Sequence, residues 1–119
     1  MIRDVTDLEV YQESLRLLKQ LYDFLKKIPL SEQDSVRQCK KCGKSIPANI
    51  AEGFAKKIYI AEFKRFLLIA IGSSDELITH LRTICITVPR LKDEGEILAQ
   101  EYKIISKQLN KLHQNWQAG

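Results

Sequence analysis

Three kinds of residue in this chain have types and spacings that could do chemistry: a Cys39-Lys-Lys-Cys42 pair, the histidines His80 and His113, and a run of cations between Arg37 and Arg65. Cys-x-x-Cys is the spacing of half a structural zinc site or of a redox pair, and structural zinc takes four donors, usually from two such pairs or from one pair plus two histidines. Only Cys85, His80 and His113 remain to complete such a set. Both sulfurs of the pair also fall on the apolar side of a predicted helix, where cysteine packs as a small hydrophobe. Core packing is therefore the expected role of Cys39 and Cys42, with no metal and no cofactor.

The histidines offer no catalytic constellation. Some helical RNases set an arginine and a histidine a few residues apart on one helix, but positions five to seven before His80 are Ser73, Ser74 and Asp75, and before His113 they are Ser106, Lys107 and Gln108. A di-iron bundle needs Glu-x-x-His twice, and the chain has it nowhere. Glu76 and His80, four apart, can form one exposed pair. No catalytic residue is expected, and the chain is read as a non-enzyme.

The cations are the remaining functional signal. Arg37, Lys40, Lys41, Lys44, Lys56, Lys57, Lys64 and Arg65 face only Glu52 and Glu62 within their stretch, in a chain of net charge +4. The rest of the chain is thus net acidic, and a basic excess confined to one quarter of the length is a candidate footprint for a polyanion. On a helical wheel Arg37, Lys40, Lys41 and Lys44 lie within about 100°, opposite Cys39, Cys42 and Ile46. A merely solvated lysine face is the ordinary alternative.

Four helices must position these groups, and no strand pattern competes with them. The first is predicted from Asp7, as N-cap, to the Ile28-Pro29 boundary. It carries two apolar lines about 200° apart: Leu8, Tyr11, Leu15, Leu18, Tyr22 and Leu25 on one, Val10, Leu17, Leu21, Phe24 and Ile28 on the other. One bundle core cannot take both. Either this helix is unusually central or the second line meets another copy of the chain, so Val10, Leu17, Leu21 and Phe24 are the candidate oligomer interface.

The second helix is predicted from Ser31 and contains Pro47, which removes an amide donor and crowds the preceding turn at a cost of about 3 kcal/mol. Cys39, Cys42, Ile46, Ile50 and Phe54 keep helical spacing through it, so one bent helix ending near Gly53 is the simplest reading; two shorter helices with Ser45 as a new cap are the alternative. Asn49 and Glu52 share a face near the bend. They could bind a ligand or the ribose and phosphates of RNA, but satisfying groups freed by Pro47, or pairing Glu52 with Lys56 or Arg65, is the preferred role. Ile60, Phe63, Leu67, Ala70, Ser74, Leu77, Leu81, Ile84 and Val88 mark a long third helix that Pro89 stops, and Gly72-Ser73-Ser74 within it suits close approach of a neighbour. A fourth helix from about Lys92 sets Leu98, Tyr102, Ile105, Leu109, Leu112 and Trp116 on one stripe.

The fold class is accordingly all-α, a single antiparallel up-and-down four-helix bundle domain over residues 1–119 with a proline-kinked second helix. The longest apolar run, Phe66 to Ile71, is far short of the roughly 18 residues of a membrane span. With no signal-peptide layout and an odd count of three cysteines, a cytoplasmic location and no membrane partner are expected.

The segment Ser45-Ile-Pro-Ala-Asn-Ile-Ala-Glu-Gly-Phe54 resembles the signature of the four-helix-bundle proteins encoded in intervening sequences of bacterial 23S ribosomal RNA genes, and of their free-standing relatives. Leu8-Glu-Val-Tyr-Gln12 resembles that family's opening, with Tyr11 where tryptophan is usual. Glu62-Phe-Lys-Arg-Phe-Leu67 through Ala70, Gly72, Ser73, Glu76 and Leu77 resembles its third helix. In relatives the Lys40-Lys41 positions are typically arginines, and Lys44 stands where an apolar residue is usual. The resemblance implies a homopentamer with a basic surface that binds RNA or DNA, and no enzymatic activity. A more distant resemblance, to the accessory proteins of diversity-generating retroelements, implies instead an adaptor whose partners are a reverse transcriptase and its RNA.

Overall fold

Apolar residues recurring three and four apart dictate four helices, and four form: α1 Glu9–Leu25, α2 Gln33–Ala55, α3 Ile60–Thr87 and α4 Lys92–Asn115. A computed structural model describes residues 1–117, among which there is no strand. Short 3-10 turns at Val5–Asp7, Leu30–Glu32 and Pro89–Leu91 lead into α1, α2 and α4. The molecule is a rod of 48 × 20 × 20 Å.

Two expected caps lie elsewhere. Asp4, not Asp7, starts the chain's first helical turn: its side chain accepts from the Thr6 amide at 3.1 Å, while the Asp7 carboxylate reaches back to the amides of Asp4 and Arg3 at 3.0 and 2.9 Å. This reciprocal box satisfies donors that a helix start leaves open. Ser31 falls inside the Leu30–Glu32 turn, and α2 begins after Glu32 with no side-chain cap.

α3 packs against both α2 and α4. Gly53 of α2 faces Phe63 and Phe66 of α3, whereas Gly43 lies near Leu77. On the other side of α3, Ser74 donates to the Tyr102 carbonyl and Cys85 to the Lys92 carbonyl. Phe54, Phe63 and Trp116 close one end of the rod edge-to-face, the tightest pair being Phe63 and Trp116 with ring centroids 4.8 Å apart.

The candidate oligomer interface is overturned. Leu17 and Leu21 are 1 % and 0 % exposed within the single chain, and Val10 and Phe24 are buried with them. The line once given to another subunit is the line that faces this bundle's own axis. Leu21 packs against Gly43 of α2 and Phe24 against Gly95 of α4, so glycines on both neighbouring helices make room for it. The other α1 line borders α2: Leu8 and Leu25 are buried, Tyr11, Leu18 and Tyr22 half-buried, and Leu15 exposed.

Close approach at Gly72 is also overturned, since a side chain there would meet nothing within 4 Å. The two serines after it do pack. Ser73 exchanges a hydrogen bond with Ser45 of α2 at 2.8 Å, and fully buried Ser74 accepts from Ser106 of α4 at 2.7 Å.

Candidate nucleic-acid interface

Pro47 sits inside one continuous α2, buried, with Ile46 and Ile50 fully buried on either side. That burial offsets the missing hydrogen bond. Asn49 donates to the Ser45 carbonyl and hydroxyl, both at 2.8 Å, and so links the turn that holds Pro47 to Ser73 of α3. Glu52 pairs with Lys56 at 3.6 Å. Gly53 lies where a β-carbon would come within 2.6 Å of Phe66 Cβ. The four signature residues thus have structural roles: Pro47 packs in the core, Asn49 and Glu52 have polar partners, and Gly53 allows the close approach of α2 to α3.

The eight candidate cations do not make one patch. Arg37, Lys40, Lys41 and Lys44 occupy the middle of α2, and Lys56, Lys57, Lys64 and Arg65 gather at the turn into α3. At 1.5 Å per residue these groups are on the order of 20 Å apart along the rod. Arg37 is tied to Asp34 at 3.1 Å, Lys56 to Glu52 at 3.6 Å and Arg65 to Glu62 at 3.2 Å. Among the described residues Lys40, Lys41, Lys44, Lys57 and Lys64 form no such ion pair.

Aromatic rings hold several of these charges in place. Lys40 and Lys44 lie over Tyr22 with Nζ 5.1 and 5.9 Å from the ring centre. Lys57 lies over Phe54 at 4.4 Å, and Lys56 and Arg65 share Phe66. Such contacts contribute about 0.5–1 kcal/mol each at exposed sites. They fix position without cancelling charge. Tyr59, in the turn beside Lys57, is exposed.

The cysteines divide. Cys39 is fully buried in the core and packs as expected, its thiol pushed up to about 12 by burial and then by the neighbouring Cys42. Cys42 is buried too, but its Sγ donates to Glu76 Oε2 at 3.2 Å, and His80 Nε2 lies 3.2 Å from that same oxygen. These two bonds, with Cys42 the larger influence, hold the Glu76 carboxyl below its ordinary value. Counting ligands by chain spacing misses this group, because Cys42 finds its neighbours on another helix; the only sequence signal was the Glu76–His80 spacing. His113 is half-buried in the last turn of α4.

The family model for 23S rRNA-intervening sequence proteins matches residues 6–111. The chain belongs to that family. The match spans all three blocks that carried the resemblance, together with the greater part of α4. No curated protein matches this 23S rRNA-intervening sequence protein. Among the described residues no helix is long and apolar enough to cross a membrane.

Proposed function

We propose that this 23S rRNA-intervening sequence protein acts in the cytoplasm as a non-enzymatic, oligomeric nucleic-acid-binding protein, an antiparallel up-and-down bundle assembled into a homopentamer that grips the phosphate backbone of RNA or DNA. One observation carries the reading: among the described residues Lys40, Lys41 and Lys44 project from one helix without a carboxylate ion-pair partner, two of them anchored on Tyr22. A polyanion meeting that row displaces counterions and no internal ion pair. The cluster at Lys57 and Lys64, beside the exposed Tyr59, offers a second contact with a ring for stacking an unpaired base.

Assembly rests on apolar residues that a single chain leaves outside, among them Leu15, Leu68, Ile69, Ile97 and Ile104. Ile97 and Ile104, seven apart, share a stripe of α4. The same exposed residues favour the second reading, in which the partner is a protein such as a reverse transcriptase and the bundle is its adaptor. In a closed ring every lysine row is repeated around the axis, and weak phosphate contacts add through avidity.

The test is fluorescence anisotropy with labelled single-stranded RNA and duplex DNA across a salt series. Log affinity should fall against log salt by about 0.7 per phosphate contacted on single strands and about 0.9 on duplex, with little sequence preference. Replacing Arg37, Lys40, Lys41 and Lys44 together by glutamate should abolish binding while helicity and oligomer size persist. No binding at about 50 mM salt, or a quadruple variant that binds as well as the wild type, refutes the reading.

A further inference from the structure

Cys42, Glu76 and His80 stand at one place between α2 and α3, their donor atoms all within 4.8 Å of one another. Sγ and Nε2 are each 3.2 Å from Glu76 Oε2. Tetrahedral zinc holds thiolate sulfur at about 2.3 Å, imidazole nitrogen at about 2.0–2.1 Å and carboxylate oxygen at about 2.0–2.2 Å, so donors around it lie roughly 3.3–3.6 Å apart. Two of the three edges of such a site are therefore already close to length. The third closes by a rotation of the His80 side chain.

The surroundings suit entry from water. Glu76 and His80 side chains are 57 % and 26 % exposed, while Cys42 backs the group from the buried side. Glu76 and His80 sit one turn apart on the 28-residue α3, so two donors are held by a rigid helix. The donor set is also selective. Magnesium and calcium take oxygen ligands, whereas a thiolate with an imidazole suits zinc.

We propose that Cys42, Glu76 and His80 form a binding site for one Zn2+, with water in the fourth position, that staples α2 to α3. On binding, the Cys42 S–H bond breaks, its electron pair forms the sulfur–zinc bond, and the proton leaves to solvent. Nε2 of His80, which donates to the ionised Glu76 in the free protein, gives its proton up to solvent while Nδ1 takes one from solvent, so the imidazole stays neutral and binds through the Nε2 lone pair. One oxygen of ionised Glu76 completes the protein's share. The exchange of a proton for a dication adds one positive charge beside Lys41, and the site stands whether or not nucleic acid is bound.

The experiment is a titration of the reduced full-length chain with Co2+ as the spectroscopic stand-in for zinc. One equivalent should produce a near-ultraviolet thiolate-to-cobalt charge-transfer band and the intense visible bands of a four-coordinate centre, and Zn2+ should bleach both. Cys42→Ser should lose the charge-transfer band and Cys85→Ser should keep it. His80→Ala, a change at a half-buried position outside the core, should weaken affinity at least about tenfold. A wild type with no charge-transfer band overturns the proposal. So does a band that survives Cys42→Ser or vanishes in Cys85→Ser, or a His80→Ala variant with unchanged affinity.

Discussion

Alanine placed at Gly72 and, in a second variant, at Gly53 makes a matched pair, because both positions are helical and gain the same backbone preference. That gain is about 1 kcal/mol per residue. At Gly72 nothing lies within 4 Å of the added carbon, so the gain should appear undiminished. At Gly53 the carbon would stand 2.6 Å from Phe66 Cβ, 3.0 Å from Phe63 Cδ1 and 3.3 Å from the Phe63 carbonyl oxygen. The first of these belongs to the stem of its side chain and the last to the backbone, so relief requires α2 and α3 to separate. Overpacking of this kind costs about 1–3 kcal/mol. Gly72→Ala should therefore stabilise the protein by about 1 kcal/mol, raising Tm by roughly 3–5 °C for a chain of this size, and Gly53→Ala should destabilise it by up to about 2 kcal/mol. Urea unfolding followed by far-ultraviolet circular dichroism measures both. Equal stabilisation by the two variants would refute the claim that the signature glycine sets the α2–α3 approach. Destabilisation by Gly72→Ala would mean that another molecule covers that surface.

The other expectations are as direct. Leu21→Asp puts an unpaired charge at a fully buried position and should cost several kcal/mol, seen as loss of helicity at any protein concentration, not as dissociation of a folded subunit. Tyr102 is fully buried with a hydroxyl that meets no partner among the described residues, so Tyr102→Phe should stabilise by about 1–2 kcal/mol in urea melts. Burial pushes the Cys39 and Cys42 thiols from the ordinary 9.0 up to about 12. The unfolded chain gives up these protons first, so stability should be fully present below pH 9 and fall as pH rises towards 12, and Cys39→Ala should remove only the Cys39 share of that loss, leaving the share of Cys42. In native protein near neutral pH, thiol labelling should reach the partly exposed Cys85 well before either of the others.

Spacing alone made α3 legible, because Phe63, Leu67, Ala70, Leu77, Leu81 and Ile84 form one continuous apolar line, all of it buried. It also made α2 legible as one continuous helix, since Ile46 and Ile50 keep register across Pro47. On α1 the same reasoning fails. Two apolar lines compete there, and which one is buried is decided by neighbours on other helices, such as Gly95 beside Phe24, which no local pattern reveals. The cap moved from Asp7 to Asp4 because a 3-10 turn, invisible to a 3.6-residue period, precedes the helix. Charge counting found the exposed lysines but treated as one patch what the length of α2 separates. The sulfur, carboxylate and imidazole of Cys42, Glu76 and His80 meet across 34 residues of chain, beyond the reach of any motif built on short spacings.

α3 packs along α2 and α4 over most of its length, while α1 touches α2 and α4 more sparingly. This gives synthesis an awkward order. α1 has Gly95 and the rest of α4 as one of its two walls, and that wall is translated after α2 and α3. Until α4 emerges, Leu17, Leu21 and Phe24 stay wet, and α2 with α3 offers an open groove to whichever α1 arrives. In a crowded polysome the nearest one can belong to another nascent chain. The gap between making α1 and seating it is thus a window for exchange of that helix between copies. The window should narrow when translation of the α4 codons is fast and widen when it stalls.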